Sequence, residues 1–278
     1  SRGRGDVYKR QVTSLAATGA QSDSGRGARG DFQGPAADRI LRARSQAVLA
    51  DPAAALKAAR TAVTRGDRSH AVWLFEQVVQ RHPVVGDHAS LLQAQLLLED
   101  GRSRWAASVA RQALGEHPRS PMRPRLNVLL GNAEAAQRNT DAALDAWRAA
   151  LSESRDDELR AGVLLSIASQ EERAGQDRAA ATTYTLIWYA HPATAEARVA
   201  AHRLGLLEEL LEEPLRSASD WRRRGDRLFR HRRNDEALEA YDRALALGIS
   251  GREAERARNQ RAQLSLIHIS EPTRLGMI

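Results

Sequence analysis

Between residues 36 and 263 the apolar positions fall three or four residues apart, separated mostly by Arg, Glu, Asp and Gln. That period puts the apolar side chains on one face of a helix. Alternating β-branched runs and hairpin turns are scarce, so strands are not expected. Gly, Asp and His-Pro sites break the pattern at short intervals, which predicts short, paired helices. The expected fold class is all-α: a right-handed α-solenoid of about five helix pairs plus one inserted helix, Ala195–Leu211.

The pattern repeats. Small residues recur at Ala71, Ala106, Ala143, Ala180 and Ala237, with spacings of 35, 37, 37 and 57. Twelve positions before each sits another small residue: Ala59, Ala94, Gly131, Ala168 and Gly225. Four positions after stand Phe75, Ala110, Trp147, Tyr184 and Tyr241, and three further on Val78, Ala113, Ala150, Ile187 and Ala244. Small residues are needed where two antiparallel helices come close, and a large one fills the groove beside the next pair. A pair of helices cannot bury its apolar face alone, so neighbours must stack.

These residues resemble the tetratricopeptide repeat, whose period is 34 residues. The last unit matches best, at Trp221, Gly225, Leu228, Ala237, Tyr241 and Ala244, while the third carries Arg138 where the inter-helix Gly is expected. The units fall near 52–83, 87–118, 124–155, 161–192 and 218–248 within a helical region of 36–263. The longest spacing fits the inserted helix. Residues 12–35, rich in Gly, Ser, Ala and Arg without apolar periodicity, read as a disordered linker.

The ends read differently. Asp6–Gln11 and Leu264–Ile269 translate the same six codons on opposite DNA strands, and this resembles the inverted ends of transposase-based sequencing libraries. The resemblance implies that 1–11 and 264–278 are adapter-derived. It also lowers the net charge from +7 to +4, because the leading segment carries four basic groups to one acidic and the trailing segment one of each. Acidic residues are interspersed with basic ones throughout, which argues against a nucleic-acid partner. The chain has no Cys, which excludes thiol chemistry and Cys-ligated metal. No apolar run is long enough for a transmembrane segment.

Candidate chemistry is sparse. His82-Pro83, His117-Pro118 and His191-Pro192 close equivalent helices, one per repeat, where a helix C-terminus favours His; they read as structural rather than metal-binding. Three Arg-Gly-Asp strings, Arg29–Asp31, Arg65–Asp67 and Arg224–Asp226, read as incidental. Glu171-Glu172, Glu208-Glu209 and Glu212-Glu213 read as solvated helix surface, since adjacent residues on a helix do not share a face. Trp147 and Trp221 fall on core positions, while Trp188-Tyr189 is less fixed by the pattern, with packing still the expected role. No phosphate loop, nucleophile elbow or His-Glu-x-x-His motif occurs, so no cofactor and no metal site is implied. The binding candidates lie on the first helices, at the position after the small residue: Arg60, Gln95 and Asn132, with Ser169 in the fourth unit. They do not reproduce the Lys/Asn clamp that some repeat proteins use for acidic C-terminal peptides.

A second resemblance concerns Tyr184–Ala197, Leu204–Leu211 and Arg222–Phe229. These runs are similar to the end of the N-terminal helical superhelix of soluble lytic murein transglycosylases, over about 52–263. It implies a non-catalytic part of a cell-envelope or periplasmic enzyme, with a peptidoglycan strand as partner and the catalytic domain beyond Gln263. The family's Glu-Ser motif precedes a Gly-Leu-Met-Gln segment. Glu153-Ser154 has no such segment after it, so no catalytic residue is carried over. The alternative is a tetratricopeptide scaffold that binds a protein partner, in the envelope or the cytoplasm.

Overall fold

The computed structural model describes residues 47–270, with side chains through 266. The residues from Val48 onward form one unit. The expected adapter segment 1–11 and linker 12–35 lie outside the described residues, as does 271–278.

Twelve α-helices follow one another from Pro52 onward, and no strand is found among the described residues. Eight form four consecutive pairs: α1 (Pro52–Thr64) with α2 (Arg68–Arg81), α3 (Gly86–Glu99) with α4 (Ser103–Glu116), α5 (Arg123–Ala136) with α6 (Thr140–Glu153), and α7 (Asp157–Arg173) with α8 (Asp177–Ala190). The inserted helix α9 (Ala195–Leu211) comes next, then the pair α10 (Ala218–Arg230) and α11 (Asn234–Ala246), and finally α12 (Gly251–Ser270). From α1 to α9 each helix packs on the one before it, and the first helices of successive pairs also meet, α3 on α5, α5 on α7 and α7 on α9. The chain is an all-α solenoid of tetratricopeptide-like helix pairs.

One turn design joins the helices of every pair. In the first, Gly66 at φ +80° lets its N–H reach the Val63 carbonyl (3.0 Å) while the Asp67 N–H reaches Ala62 (2.9 Å). This is the Schellman arrangement, which satisfies helix carbonyls that would otherwise be orphaned. Gly101 and Gly175 do the same. In the third and fifth pairs a non-glycine residue takes the left-handed position, Arg138 at φ 64° and Arg232 at φ 58°, and the same two hydrogen bonds form. The same turn thus forms without glycine, at the cost of left-handed backbone in a residue that carries a Cβ.

The recurrent positions build the core. Ala59, Ala94 and Ala168 are fully buried, as are all five alanines from Ala71 to Ala237. Phe75, Ala110, Trp147, Tyr184 and Tyr241 are buried beside them. Where this residue is Trp147 or Tyr241, the facing helix carries glycine. A Cβ on Gly131 would overlap the Trp147 Cδ1 and Nε1 atoms and come within 2.9 Å of Cγ; one on Gly225 would lie 2.8 Å from Tyr241 Cε1.

The array departs from simple repetition after α8. Helix α9 turns Ala197, Ala200, Leu204 and Leu207 inward against α8 and α7. The chain then reverses at Glu212 (φ 53°) and Pro214, and α10 returns to pack on α8 rather than on α9. Trp221 on α10 meets Trp188 on α8 edge to face, 4.6 Å between centroids. At the far end α12 covers α11 with Ala254, Ala257 and Leu264, one helical face. That helix continues through residue 263 to Ser270, and buried Leu264 extends its packed face into the segment read as adapter.

Candidate functional site

The three binding candidates do not share one fate. Arg60 is exposed on α1, where its Nη2 donates to His88 Nε2 on α3 (3.3 Å). A guanidinium can only donate, so the imidazole nitrogen accepts. Gln95 is exposed on α3 and donates to Glu99 Oε1 one turn along (3.1 Å). Asn132 is turned inward: its Oδ1 accepts the Trp147 Nε1–H (3.1 Å). In the fifth pair the residue at the same place, Asp226, accepts from the Tyr241 hydroxyl (2.9 Å). In the fourth, the Tyr184 hydroxyl donates to Glu172 one turn further on (2.9 Å).

A rule connects these cases. A buried aromatic with a polar tip needs a partner, and the nearest one stands on the first helix of its own pair. Trp147, Tyr184 and Tyr241 therefore recruit Asn132, Glu172 and Asp226. Phe75 and Ala110 have no polar tip, so Arg60 and Gln95 remain free to face outward. The readable signal is thus the aromatic fifteen residues downstream. The open face narrows to α1 and α3. On α1 it carries Lys57, Thr61 and Thr64 beside Arg60, lining an open hollow with Ala53 and Leu56. The repeat spacing singles out one position per helix and so does not reach these neighbours of Arg60.

Electrostatics separate this face from the rest. The α1 surface presents Lys57 and Arg60 without an acidic residue among its lining groups. On later helices some carboxylates are held by structure. Glu134, buried on α5, accepts from Asn139 Nδ2 (2.7 Å) and pairs with Arg111 on α4. Glu172 pairs with Arg203 of α9 through both carboxylate oxygens.

Part of the solvated-surface reading of the paired glutamates is corrected here. Glu171 accepts from Thr183 (2.8 Å), Glu172 joins α7, α8 and α9, and Glu208 accepts from the Leu215 N–H (3.1 Å) and Arg216 Nε (3.0 Å). Burial pushes the Glu208 carboxyl up, but Arg216 and the backbone donor outweigh it and leave it below the usual range. Stacked repeats give these residues neighbours that a lone helix lacks. Only Glu209 and Glu212 match the surface expectation, both being exposed.

The other singled-out groups are also structural. Trp188 is buried, enclosed by Trp221 and by the guanidinium groups of Arg224 (4.8 Å from the ring centroid) and Arg216 (5.6 Å). Arg224 also donates to the Trp188 carbonyl (2.5 Å), and burial pushes its guanidinium down to about 10 against the raising pull of Glu236 and Glu239. The third Arg-Gly-Asp string is thus packed inside the fifth pair, the second forms the α1–α2 turn, and the first lies outside the described residues. His82 Nε2 donates to the Leu49 carbonyl (2.8 Å), His117 lies against Gly86, and His191 is buried with Nδ1 at 3.1 Å from Asp157. Among the described residues, no group of three or more His, Cys, Asp or Glu side chains is placed to hold a metal ion, and no helix is long and apolar enough to cross a membrane.

No protein-family model matches the chain, and no curated protein matches it. Among solved structures it is similar to a tetratricopeptide repeat protein from Parabacteroides merdae, at 12% identity and a TM-score of 0.47 over 77% of this chain and 98% of that one. It is also similar to pilF of Pseudomonas aeruginosa (18% identity, TM-score 0.38, 65% of this chain and 89% of that one). A third likeness is to the tetratricopeptide domain of P58(IPK) (16% identity, TM-score 0.32, 85% and 68%). The solenoid assignment rests on the helix pairs themselves.

Proposed function

We propose that the chain is a tetratricopeptide-like scaffold that binds a protein segment along the open face of α1 and α3. The observation that carries this reading is the asymmetry of the first helices. Those of the third to fifth pairs spend their polar groups on their own aromatics, whereas α1 and α3 leave Arg60 and Gln95 outward beside Lys57, Thr61 and Thr64. Two cations and two hydroxyls suit a carboxylate-bearing extended peptide, with the guanidinium offering a two-pronged contact. Repeat solenoids present such extended surfaces to their partners. The murein-lyase resemblance adds no residue to this face.

The test is a peptide array screened with the purified chain, comparing acidic, neutral and basic extended peptides. Acidic peptides are expected to be retained, and Lys57→Glu with Arg60→Glu is expected to abolish retention while leaving the helical circular dichroism unchanged. Equal retention of acidic and basic peptides, or indifference to the double substitution, sinks the proposal. So does cosedimentation with purified peptidoglycan sacculi in place of peptide capture, the outcome the murein resemblance anticipates.

A further inference from the structure

We infer that the outward face of α9 is a surface on which two copies of this chain pair antiparallel. Seven large hydrophobic side chains are exposed among the described residues, and three of them, Val199 (46%), Leu206 (43%) and Leu210 (64%), lie on this one helix. Their spacing of seven and four residues aligns them in a single stripe. The adjoining side of the helix is already buried against α8 and α7 through Ala197, Ala200, Leu204 and Leu207. Helix α9 is therefore apolar on two faces, and α10 leaves the outer one bare by packing on α8 instead. Isolated exposed hydrophobics need no explanation, but an aligned set on a helix without a second helix of its own does.

The occupant follows from charge. Arg198 and Glu209 are exposed on one flank of the stripe, eleven residues and so about three turns apart. They bracket the stripe, and their midpoint falls within one residue of the midpoint between Val199 and Leu210. A twofold axis perpendicular to two antiparallel helices keeps like flanks on the same side while reversing direction. Stripe then meets stripe, and Arg198 of each copy faces Glu209 of the partner subunit, twice. A parallel pairing would carry the charged flank of each copy to opposite sides and bring neither attraction together. The surface is thus self-complementary in the manner of an isologous interface.

Sedimentation equilibrium of the full chain, from micromolar to submillimolar concentration, reads the association directly. A monomer–dimer equilibrium is expected, with Leu206→Glu shifting it to monomer. Arg198→Glu and Glu209→Arg, both at exposed positions, are each expected to weaken the dimer about tenfold, since two attractions become repulsions. The double variant Arg198→Glu/Glu209→Arg is expected to recover the wild-type constant within about twofold, because exchanging the two charges restores both attractions. A monomer at every concentration overturns the inference, as does a dimer indifferent to Leu206→Glu or charge variants that the double exchange fails to rescue. A wild-type monomer that gains mass only with an added amphipathic peptide would show a foreign helix as the occupant and overturn it equally. None of these residues touches the α1–α3 face, so this result and the peptide-binding result stand or fall separately.

Discussion

Replacing Gly131 by alanine sets two opposing effects against each other at one position. In an exposed helix interior the change is favourable by about 1 kcal/mol, because alanine restricts the unfolded chain and suits the helix. At Gly131 the added methyl would overlap the Trp147 indole, with Cγ only 2.9 Å away. Trp147 is buried with its Nε1–H committed to Asn132, so it has little freedom to withdraw. Overpacking of this kind costs about 1–3 kcal/mol, and a displaced indole also loses a hydrogen bond of about 1 kcal/mol. Set against the helix gain, the net expectation is a loss of about 1–3 kcal/mol, or a Tm lower by about 2–4 °C for each kcal/mol. Gly162→Ala is the control, since a Cβ there meets nothing within 4 Å; it is expected to stabilise by about 0.5–1 kcal/mol. Thermal and urea melts followed by circular dichroism compare the two. If Gly131→Ala stabilises as much as Gly162→Ala, the helices of the third pair are not in the close contact described, and the reasoning fails.

Three further outcomes are expected. Arg138→Gly and Arg232→Gly relieve left-handed backbone at side-chain-bearing residues and should each raise stability by up to about 1 kcal/mol, whereas Gly101→Ala should lower it by about as much; urea midpoints decide. Asn132→Ala should cost about 1–3 kcal/mol of stability by stranding the Trp147 N–H, and should leave acidic-peptide retention intact, the reverse of Arg60→Glu. Burial holds His191 below its ordinary value of 6.5, against the raising pull of Asp157. The unfolded chain then binds a proton that the folded chain refuses. Stability is complete well above 6.5 and drains away as pH falls toward the lower folded value, so melts should shift down as pH is lowered through 6.5. His191→Asn should flatten that shift, and an unchanged slope would remove the histidine from the account.

The helix pairs and the inserted helix were legible in the sequence because they depend on size alone. A small residue at Ala143 or Ala237 and a large one at Trp147 or Tyr241 announce close helix contact whatever surrounds them. The fate of polar groups was not legible in the same way. Asn132 and Arg60 occupy equivalent places, yet one serves an indole and the other faces solvent; the difference lies in the residue that the facing helix brings. Glu172 looked like surface when α7 was considered alone, and became a junction once α8 supplied Tyr184 and α9 supplied Arg203. Periodicity sees one helix at a time, while a carboxylate's role is set by the helices on either side.

Helix α8 is in contact with α7, α9 and α10, so the last pair joins the array at α8 and skips its neighbour in sequence, α9. The chain therefore has a branch point rather than a uniform row. Losing α8 would free the last pair with α12 on one side and leave α9 held only by α7 on the other. Opening elsewhere along the first three pairs would stay local to one or two helices. Cooperativity should accordingly be concentrated at Trp188, where two arginines and a second tryptophan gather both branches onto a single side chain.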